Sequence, residues 1–588
     1  MKLERLKIQN FRNLRDFEIT FTGSATDADG TERVFKSHAV IGQNGSGKSN
    51  MIEAIVTIFR DLDLNQPASL DYELDYEVRG IRIQIRANAG VAPNVTIDGE
   101  LEDAWVLSDT HHPEKMDTRD PERPKPLRGS ARRYLPSHVF TYYSGKNERL
   151  EALFQQHQKN FIDRLHEDPT GEVDEEELAS FSDSDGLLRR MFYCRHPHSR
   201  LVLLACLLAP EKPLKGVLDN LRIDGIDSAL FALKQPYRLT GDVFSEDDIN
   251  AGDKRFWYDQ TRFSQEFLDK LWELSTAPID FTEEKVIDFR GRTEEQALLY
   301  LFVDGREKLD ELREHIGDSY RFFRFLEGSY IADLLDDLKI FVKHRNAEGL
   351  VTFEALSEGE LQLLTVLGLM RLTHQDHCLF LLDEPDTHLN PMWKLIYFEQ
   401  IETVLKQSPE SILQGDSQII VTTHDPMMIG GLRKEQVRVM RNGPNGSTVD
   451  EIDEHPQGMG VAGLLKSEYF GLPTTLDSDT LAKLQKRNEL LAKRKKESLS
   501  GAEEALLSKL QNYLEDLGFS KVSRDPLYQL FIEKMYEVRS QPLNEFLNPV
   551  ELAARESQAM EIVSEIVKRE RTDGLSDLAR ELSLQLKK

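Results

Sequence analysis

The feature that most constrains this chain is a run that fits the pattern G-x-x-x-x-G-K-[ST] and consists of Gly42, Gln43, Asn44, Gly45, Ser46, Gly47, Lys48 and Ser49. Its glycines permit a turn tight enough to point backbone N–H groups at phosphate oxygens. Lys48 would place a positive charge beside the β- and γ-phosphates of a nucleotide, and the Ser49 hydroxyl would be available to Mg²⁺. A short apolar strand, 38–41, precedes the run, and a segment with helical character, 50–59, follows it. We therefore predict a phosphate-binding P-loop on a strand–loop–helix unit.

A second run, far along the chain, supplies two acidic side chains at the end of an apolar strand. Four apolar residues, 379–382, are typical of a buried parallel strand, and Asp383 and Glu384 follow them directly. Beside a P-loop, Asp383 would hold Mg²⁺, and Glu384 would orient or deprotonate the attacking water. Taken alone, the same pattern also fits an ordinary strand that ends in a solvated turn.

Two further motifs flank this strand. Ser357 and Gly359 precede the helical run 361–372, and a hydroxyl, an N–H group and a helix dipole at that point would suit a γ-phosphate. An ordinary capping box is the alternative, because Glu360 follows Ser357 by three residues. His424 comes directly after an apolar strand, where it would either sense a γ-phosphate or simply be hydrogen-bonded at the surface.

The order GQNGSGKS, LSEGE, LFLLDEP and TTHDP resembles the ABC-type ATPase head shared by SMC, RecF and OLD-like proteins. The resemblance covers residues 1–149 and 351–471. It implies an α/β fold, with a P-loop ATPase head that binds ATP and Mg²⁺ and hydrolyses the ATP. It also implies a homodimer, in which Ser357 and Gly359 of one chain close on the nucleotide held by Lys48 of the other.

The same resemblance assigns roles to individual residues. It makes Asp383, Glu384 and His424 catalytic and makes Ser49 and Asp383 the metal ligands. Arg12 and Asn13 match the N-terminal strand that borders the nucleotide in such heads.

The chain departs from this family at several positions. Glu358 stands where the signature usually has glycine, Glu360 replaces a frequent glutamine, and Asn390 ends a D-loop that usually has aspartate. We identify no Q-loop glutamine, although the strand 139–143 and the residues 144–149 after it lie in a suitable place.

Length and pattern predict four segments. We expect a β-rich N-terminal half of the head at 1–149, a mostly helical insertion at 150–350, the second half of the head at 351–471 and a helical C-terminal region at 472–588. The insertion has no sustained heptads, so we do not expect long coiled-coil arms.

Composition excludes several classes of protein. The chain has 74 basic and 102 acidic residues and a net charge of −28, which excludes a uniformly basic nucleic-acid cradle. Its longest apolar run, 201–209, is about half of what a membrane span needs. The N-terminus has no signal-peptide core, and three cysteines make no disulfide framework, so we expect a cytoplasmic protein without membrane contact.

Two local basic clusters are candidates for contact with phosphate backbones or, alternatively, solvated surfaces. They consist of Arg119, Arg123, Lys125, Arg128, Arg132 and Arg133, and of Lys483, Lys486, Arg487, Lys493, Arg494, Lys495 and Lys496. OLD-type nucleases carry a Glu-Gly motif and an Asp-x-Asp pair in a strand after the ATPase head. Neither follows His424 here, so we do not expect a nuclease in this chain. Cys194, His196 and His198 are a poor zinc set, with one thiolate and two imidazoles beside a proline.

The architecture, the PDTHLNP segment and the tail motif DPLYQLFIEKM resemble the ATPase subunits of Septu-type and retron-associated anti-phage defence systems. That resemblance implies a separate HNH nuclease partner and, in retron versions, a reverse transcriptase with its DNA–RNA hybrid. Three alternatives stay open: a RecF-like repair ATPase that acts on DNA without a dedicated nuclease, a stand-alone OLD-type nuclease, and a scaffold in which ATP is structural and turns over slowly.

Overall fold

The computed structural model describes residues 1–517 and 554–568, except for 22, 27–29, 31, 109, 118–124, 146, 167–189, 196, 209–217, 219–221, 237–252, 258–261, 287–290, 346–349, 353–357, 373–376, 407–416, 473, 497, 555–556 and 565–567. The strands are, in chain order, β1 (Lys2–Phe11), β2 (Leu14–Thr20), β3 (Ser24–Thr26), β4 (Glu32–Val34), β5 (Ser37–Gly42), β6 (Tyr72–Val78), β7 (Ile81–Ala87), β8 (Asn94–Ile97), β9 (Glu100–Glu102), β10 (His111–Asp117), β11 (Lys125–Arg128), β12 (Val139–Tyr143), β13 (Met191–Cys194), β14 (Ile223–Lys234), β15 (Ile279–Val286), β16 (Thr293–Val303), β17 (Leu335–His344), β18 (Leu350–Thr352), β19 (Leu379–Asp383), β20 (Gln418–Thr423), β21 (Val437–Gly443) and β22 (Gly446–Asp450).

The helices are α1 (Lys48–Asp63), α2 (Ala131–Tyr134), α3 (Glu148–Ala152), α4 (Gln155–His166), α5 (His198–Leu208), α6 (Arg262–Leu274), α7 (Arg306–Ile316), α8 (Ser319–Ile331), α9 (Glu358–Leu372), α10 (Pro391–Lys406), α11 (Pro426–Ile429), α12 (Gly460–Lys466), α13 (Ser478–Lys496) and α14 (Gly501–Asp516). Short 3₁₀ helices lie at Ala104–Leu107, Lys254–Phe256 and Lys434–Gln436. The chain divides into two compact units, 1–459 and 460–588.

A seven-stranded sheet forms the centre of the first unit, in the order β13-β12-β19-β20-β5-β21-β22. Its first six strands run parallel, and β22 pairs antiparallel to β21. Every residue of β19 and β20 is buried, as the continuous apolar runs of these strands predict for a sheet covered on both faces. The predicted α/β P-loop architecture is confirmed.

Parallel pairing explains how distant motifs meet. In the register of this sheet Asp383 lies opposite Tyr143 on one side and Thr422 on the other, and Thr423 lies opposite Ile41. The loops that follow β5, β12, β19 and β20 therefore leave the sheet at one edge. Binding sites of open parallel sheets lie at this carboxyl edge.

A six-stranded antiparallel sheet, in the order β2-β1-β6-β7-β8-β9, forms the N-terminal lobe. Strands β6 and β7 form a hairpin, in which Val78 lies opposite Ile81. Arg79 and Gly80, which join the two strands, have φ values of 53° and 73°. A two-residue loop with two positive φ values matches the twist of the strands it connects.

The segment 150–350 differs from the mostly helical pattern that we expected, because it also contains a five-stranded antiparallel sheet. The order of this sheet is β15-β16-β14-β17-β18, and helices α6, α7 and α8 pack on it. The apolar run 297–303 in β16 has neither a helical nor a strand period, which is why its pattern was uninformative. In addition, β13 of this segment is an edge strand of the central sheet.

Helix α9 packs closely on α5 through a glycine. A β-carbon at Gly368 would lie 2.4 Å from Cγ1 of Val202 and 3.1 Å from Sγ of Cys206. A larger side chain would therefore separate the two helices.

The second unit, 460–588, is helical in its described part, where α13 packs against α14. Ser500 and Glu503 form a capping box at the start of α14. Several lysines of the second basic cluster pair with acidic side chains, among them Lys483 with Asp479 at 2.6 Å and Lys493 with Glu503 at 2.6 Å. The tail motif DPLYQLFIEKM, 525–535, lies outside the described residues.

Among the residues that the structure describes, no helix combines the length and the apolar character needed to cross a bilayer.

Candidate active site

The P-loop joins β5 to α1 at the carboxyl edge of the central sheet. Gly47 caps α1 with a φ of 102°, in the left-handed region, and a β-carbon there would lie 2.8 Å from Oγ of Ser447 and 2.9 Å from Nδ2 of Asn13. The position therefore requires glycine for both conformational and steric reasons. The first turn of α1 carries no acidic side chain. Its N-terminus is thus suited to an anion.

The tip and the floor of the loop differ in exposure. Gln43, Asn44 and Gly45 are exposed, and Gly45 has a φ of 81°. Ser46 is fully buried, and its Oγ has no hydrogen-bond partner among the described residues. A buried hydroxyl without a partner is a group that a ligand oxygen would satisfy.

Lys48 is held at the mouth of the loop by backbone oxygens. Its Nζ donates to the carbonyl of Gly42 at 2.8 Å and lies 3.8 Å from Oε1 of Glu384. Burial lowers the pKa of Lys48, and the nearby charges of Glu384 and Asp383 only partly oppose this effect. A phosphate oxygen would be a stronger acceptor for this ammonium group than the carbonyl that it now contacts.

Asp383 and Ser49, the two predicted metal ligands, lie within hydrogen-bonding reach of each other. Burial raises the pKa of Asp383, while hydrogen bonds from Thr422 and Ser49 and the charge of Lys48 act in the opposite direction. Oδ2 of Asp383 is buried and has no hydrogen-bond partner among the described residues. An oxygen pair of this kind, a carboxylate and a hydroxyl, is what Mg²⁺ prefers.

Glu384 occupies a strained position directly after β19. Its φ is 50°, an uncommon value for a residue other than glycine, and its amide donates to the carbonyl of Thr422 at 3.0 Å. The carboxylate lies between Lys48 and His424, with Nδ1 of His424 at 3.2 Å from Oε1. Strained backbone of this type recurs at functional sites, where the surrounding structure maintains it.

His424 is half exposed, with 49% of its side chain accessible, so it faces the solvent side of the same edge. The structure therefore brings together Lys48, Ser49, Asp383, Glu384 and His424.

Asn13 reaches the P-loop from the turn between β1 and β2. Its Nδ2 donates to the carbonyl of Gly45 at 3.1 Å, and its Oδ1 accepts from Nδ2 of Asn50 at 2.7 Å. Arg12 turns instead to α1, where it forms an ion pair with Glu53 and a hydrogen bond with Asn50. Asn13 thus supports the loop directly, whereas Arg12 contacts the side of the helix.

Of the two predicted signature residues, Ser357 and Gly359, the structure describes only Gly359. Ser357 lies outside the described residues. Gly359 is buried, and a β-carbon there would lie 2.2 Å from the carbonyl oxygen of His388. The start of α9 therefore packs against the backbone of the segment that follows Glu384, a contact that only glycine permits.

Sequence reasoning missed several residues of the site. Ser447, from the β21–β22 hairpin, covers Gly47, and its own amide donates to the carbonyl of Asn13 at 2.9 Å. Thr422 bonds Asp383 and the backbone of Glu384. The TTHDP motif marks Thr422, but no local pattern marks Ser447.

The plausible Q-loop position lies at the same edge. Strand β12 pairs directly with β19, and Oγ of Ser144 lies 3.0 Å from Oγ1 of Thr387, which in turn donates to the carbonyl of Glu384. The residues after β12 are therefore linked to the segment that follows β19 through two hydroxyl groups.

Cys194, His196 and His198, the weak zinc set, do not include a thiolate. Burial raises the pKa of Cys194 to about 12, so its thiol is protonated at neutral pH. His196 lies outside the described residues.

Two protein-family profiles match the chain. The profile described as "AAA ATPase domain" matches residues 1–177, and the profile described as "AAA domain, putative AbiEii toxin, Type IV TA system" matches residues 226–429. The first includes the P-loop, and the second includes Asp383, Glu384 and His424. A comparison with curated proteins finds no match.

Solved structures with weak similarity include two SMC heads and RecF. The SMC head domain from Thermotoga maritima is 13% identical, covers 77% of this chain and 100% of its own, and has a TM-score of 0.29. The SMC head of Pyrococcus furiosus, bound to the C-terminal domain of ScpA, is 13% identical. It covers 77% of this chain and 96% of its own, and its TM-score is 0.29. The recombination mediator RecF of the RecFOR pathway, in its ATPrS form, is 12% identical. It covers 76% of this chain and 98% of its own, and its TM-score is 0.27. TM-scores this low add nothing to the assignment of individual residues.

The fold and the site define an α/β P-loop unit with its motifs at the carboxyl edge of a parallel sheet. The profiles that match its two motif-bearing parts are both described as AAA domains, so the chain is similar to AAA-type ATPases.

Proposed function

We propose that this chain binds MgATP and hydrolyses it as the ATPase subunit of a bacterial anti-phage defence complex, in which ATP-dependent dimerisation of two heads controls a separate nuclease. The observation that carries the ATPase part is the position of Glu384, whose Oε1 lies 3.8 Å from Lys48 and 3.2 Å from His424 at the carboxyl edge of the sheet. A carboxylate placed beside a phosphate-binding lysine is suited to a water molecule that attacks the γ-phosphate.

The residues of the site fit both ligands. Ser46, with its unsatisfied hydroxyl, and the N-terminus of α1 would bind phosphate oxygens, and Ser49 and Asp383 would hold Mg²⁺. When bound, the metal neutralises charge on the phosphates and orients them. Glu384 would activate water, and His424 would donate a hydrogen bond to the γ-phosphate.

A dimer follows from the count of motifs, since each chain has one P-loop and one signature. Ser357 and Gly359 would close on ATP held by Lys48 of the second chain. The fixed contact of Gly359 with the backbone of His388 supports this idea, because it ties the signature helix to the segment after Glu384. A movement of the signature helix on closure of the dimer would thereby be transmitted to the carboxylate of Glu384 in the same chain.

The defence role rests on two observations that are independent of the geometry. The family profile that matches 226–429 is described as a putative toxin of a toxin–antitoxin system. The sequence also resembles Septu-type and retron-associated ATPase subunits, which implies an HNH nuclease partner and, in some systems, a reverse transcriptase with its DNA–RNA hybrid. We propose a cytoplasmic complex of this kind.

A pulldown from the native host tests the proposal. Tagged Glu384→Gln protein would be captured with MgATP to prolong the closed dimer, with Lys48→Ala as the matched variant that does not bind ATP. Recovery of an HNH nuclease, with or without a reverse transcriptase and its nucleic acid, would support the defence role. Recovery of replication or repair factors, or of a second copy alone, would favour the RecF-like alternative.

A further inference from the structure

A cavity of about 510 Å³ opens beside the active site, in the first unit, between the ends of β12 and β13 and the helices α5 and α9. Residues that line it include Tyr142, Tyr143, Tyr193, Glu151 and Gln362. The volume is within the range of small-molecule sites, about 300–1,000 Å³. Its described lining does not include the P-loop, Glu384 or His424, so the cavity is distinct from the nucleotide site.

Gln362 gives this cavity a specific acceptor. The side chain is 95% buried, its exposed fraction being 5%, and Nε2 donates to the carbonyl of Pro385 at 2.5 Å. That contact fixes the orientation of the amide, because only the NH₂ group can donate to a carbonyl. Oε1 is left buried without a hydrogen-bond partner among the described residues. A donor on a bound molecule that reached Oε1 would satisfy this acceptor.

The rest of the wall indicates the kind of molecule that would supply the donor. Three tyrosine rings contribute flat apolar surface, which suits an aromatic heterocycle. Glu151 and Arg195, which also line the cavity, form an ion pair at 2.7 Å and supply polar groups for ligand hydroxyls. Proteins read nucleobases in this way, by stacking on aromatic rings and hydrogen bonding to the exocyclic groups of the base.

Two walls of the cavity are hydrogen-bonded to the catalytic segment. Gln362 contacts Pro385, the residue after Glu384. Ser144, on the opposite chain segment, contacts Thr387, whose hydroxyl donates to the carbonyl of Glu384 at 3.0 Å. A ligand that moves either wall would shift the backbone that holds the strained Glu384.

We propose that this cavity binds a free nucleoside whose base carries an amino group, with Gln362 Oε1 as the acceptor of that amine, and that its occupancy alters ATP turnover. Adenosine, cytidine and guanosine carry such an amine, whereas uridine does not. The binding part does not depend on the proposed ATPase activity. The effect on turnover rests on it.

Calorimetric titration of the full chain with each of the four nucleosides tests the binding. The titrations are repeated on the Glu384→Gln variant saturated with MgATP, so that nucleotide fills the P-loop site and a nucleoside binds only elsewhere. We expect at least one amino-bearing nucleoside to bind more tightly than uridine. Gln362→Leu, a substitution of similar volume, should weaken that binding about tenfold, whereas Gln156→Leu on the exposed face of α4 should leave it unchanged.

A second variant guards against a folding defect in Gln362→Leu. Gly145 is exposed on the wall, and a β-carbon there would lie 3.1 Å from Cε1 of Tyr143, which also lines the cavity, so Gly145→Trp would occlude the cavity and should abolish nucleoside binding. Binding that persists unchanged in both Gln362→Leu and Gly145→Trp, that disappears when MgATP fills the P-loop site, or that is equally strong for uridine would overturn the proposal. So would the absence of binding at millimolar concentration. Binding without a change in phosphate release by the wild-type chain would overturn the effect on turnover alone.

Discussion

Nδ1 of His424 lies 3.2 Å from Oε1 of Glu384, although the two residues follow different strands and are separated by forty residues. The contact exists because β19 and β20 are parallel neighbours and end at one edge. The positive φ of Glu384 turns its carboxylate toward both His424 and Lys48. A carboxylate and an imidazole are thereby presented together beside the lysine of the P-loop.

Replacing Glu384 by glutamine should separate binding from hydrolysis. Glu384→Gln keeps the size and the backbone of the residue but removes the base, so ATP should still bind while turnover falls at least about 100-fold. Phosphate release and nucleotide retained after gel filtration would measure the two effects. Glu399→Gln, on the exposed face of α10, is the control and should behave like the wild type. Unchanged turnover in Glu384→Gln would show that another group is the base.

His424→Ala should reduce turnover by about tenfold to a hundredfold, because it removes one donor to the charge that develops on the γ-phosphate. ATP affinity should fall much less, since Lys48 and the P-loop amides remain. Steady-state phosphate release across a range of ATP concentrations would distinguish the two. His315→Ala, on the surface of α7, is the matched control. A loss of affinity with unchanged turnover at saturating ATP would mean that His424 contributes to ground-state binding only.

Gly47→Ala should weaken ATP binding at least about tenfold, because the new methyl group meets Ser447 and Asn13 and the positive φ is unfavourable for alanine. Gly99→Ala is an informative control. Gly99 also has a positive φ, 91°, but a β-carbon there meets nothing within 4 Å. Both variants should lose about 1 kcal/mol of stability from backbone strain, whereas only Gly47→Ala should lose binding, as measured by titration with ATP. Equal ATP affinity in the two would mean that crowding at Gly47 is harmless.

The parts of the site that sequence alone predicted are those in which neighbouring residues carry the chemistry. The P-loop and the pair Asp383 and Glu384 lie within single strand–loop units, so local spacing indicates the P-loop and, once a P-loop is present, the acidic pair. Their meeting point follows from the parallel sheet that their apolar strands predict. The prediction that Asn13 borders the loop came from resemblance, and the structure places its side chain against Gly45.

The parts that sequence could not predict depend on pairing between distant segments. Ser447 covers Gly47 only because β21 joins the sheet beside β5, and nothing near Ser447 in the chain indicates this. The five-stranded sheet was missed for a related reason. Its strand β16 is apolar at successive positions, so no period reveals which neighbours it pairs with.

Asp63 at the end of α1 should be the anchor that joins the P-loop helix to the central sheet. Its carboxylate lies 2.8 Å from Nε of Arg190 and 2.8 Å from Nε2 of His157, and all three side chains are largely buried. Asp63→Asn keeps the shape but leaves Arg190 without its counter-ion, so the free energy of unfolding should fall by about 3–5 kcal/mol at pH 7.

Burial alone would raise the pKa of Asp63, but Arg190 and His157 hold it below its usual value. Because the folded-state pKa is the lower one, this stabilisation is complete above the unfolded pKa of about 3.9 and is lost as pH falls through the folded value. Urea unfolding over the range from pH 7 to pH 2 should therefore show the full difference between wild type and variant well above the unfolded pKa and a progressively smaller difference below it. Asp310→Asn, which removes a half-exposed partner of Arg306, should cost no more than about 0.5 kcal/mol. A difference for Asp63→Asn that does not decrease between pH 7 and pH 2 would refute the ion-pair explanation.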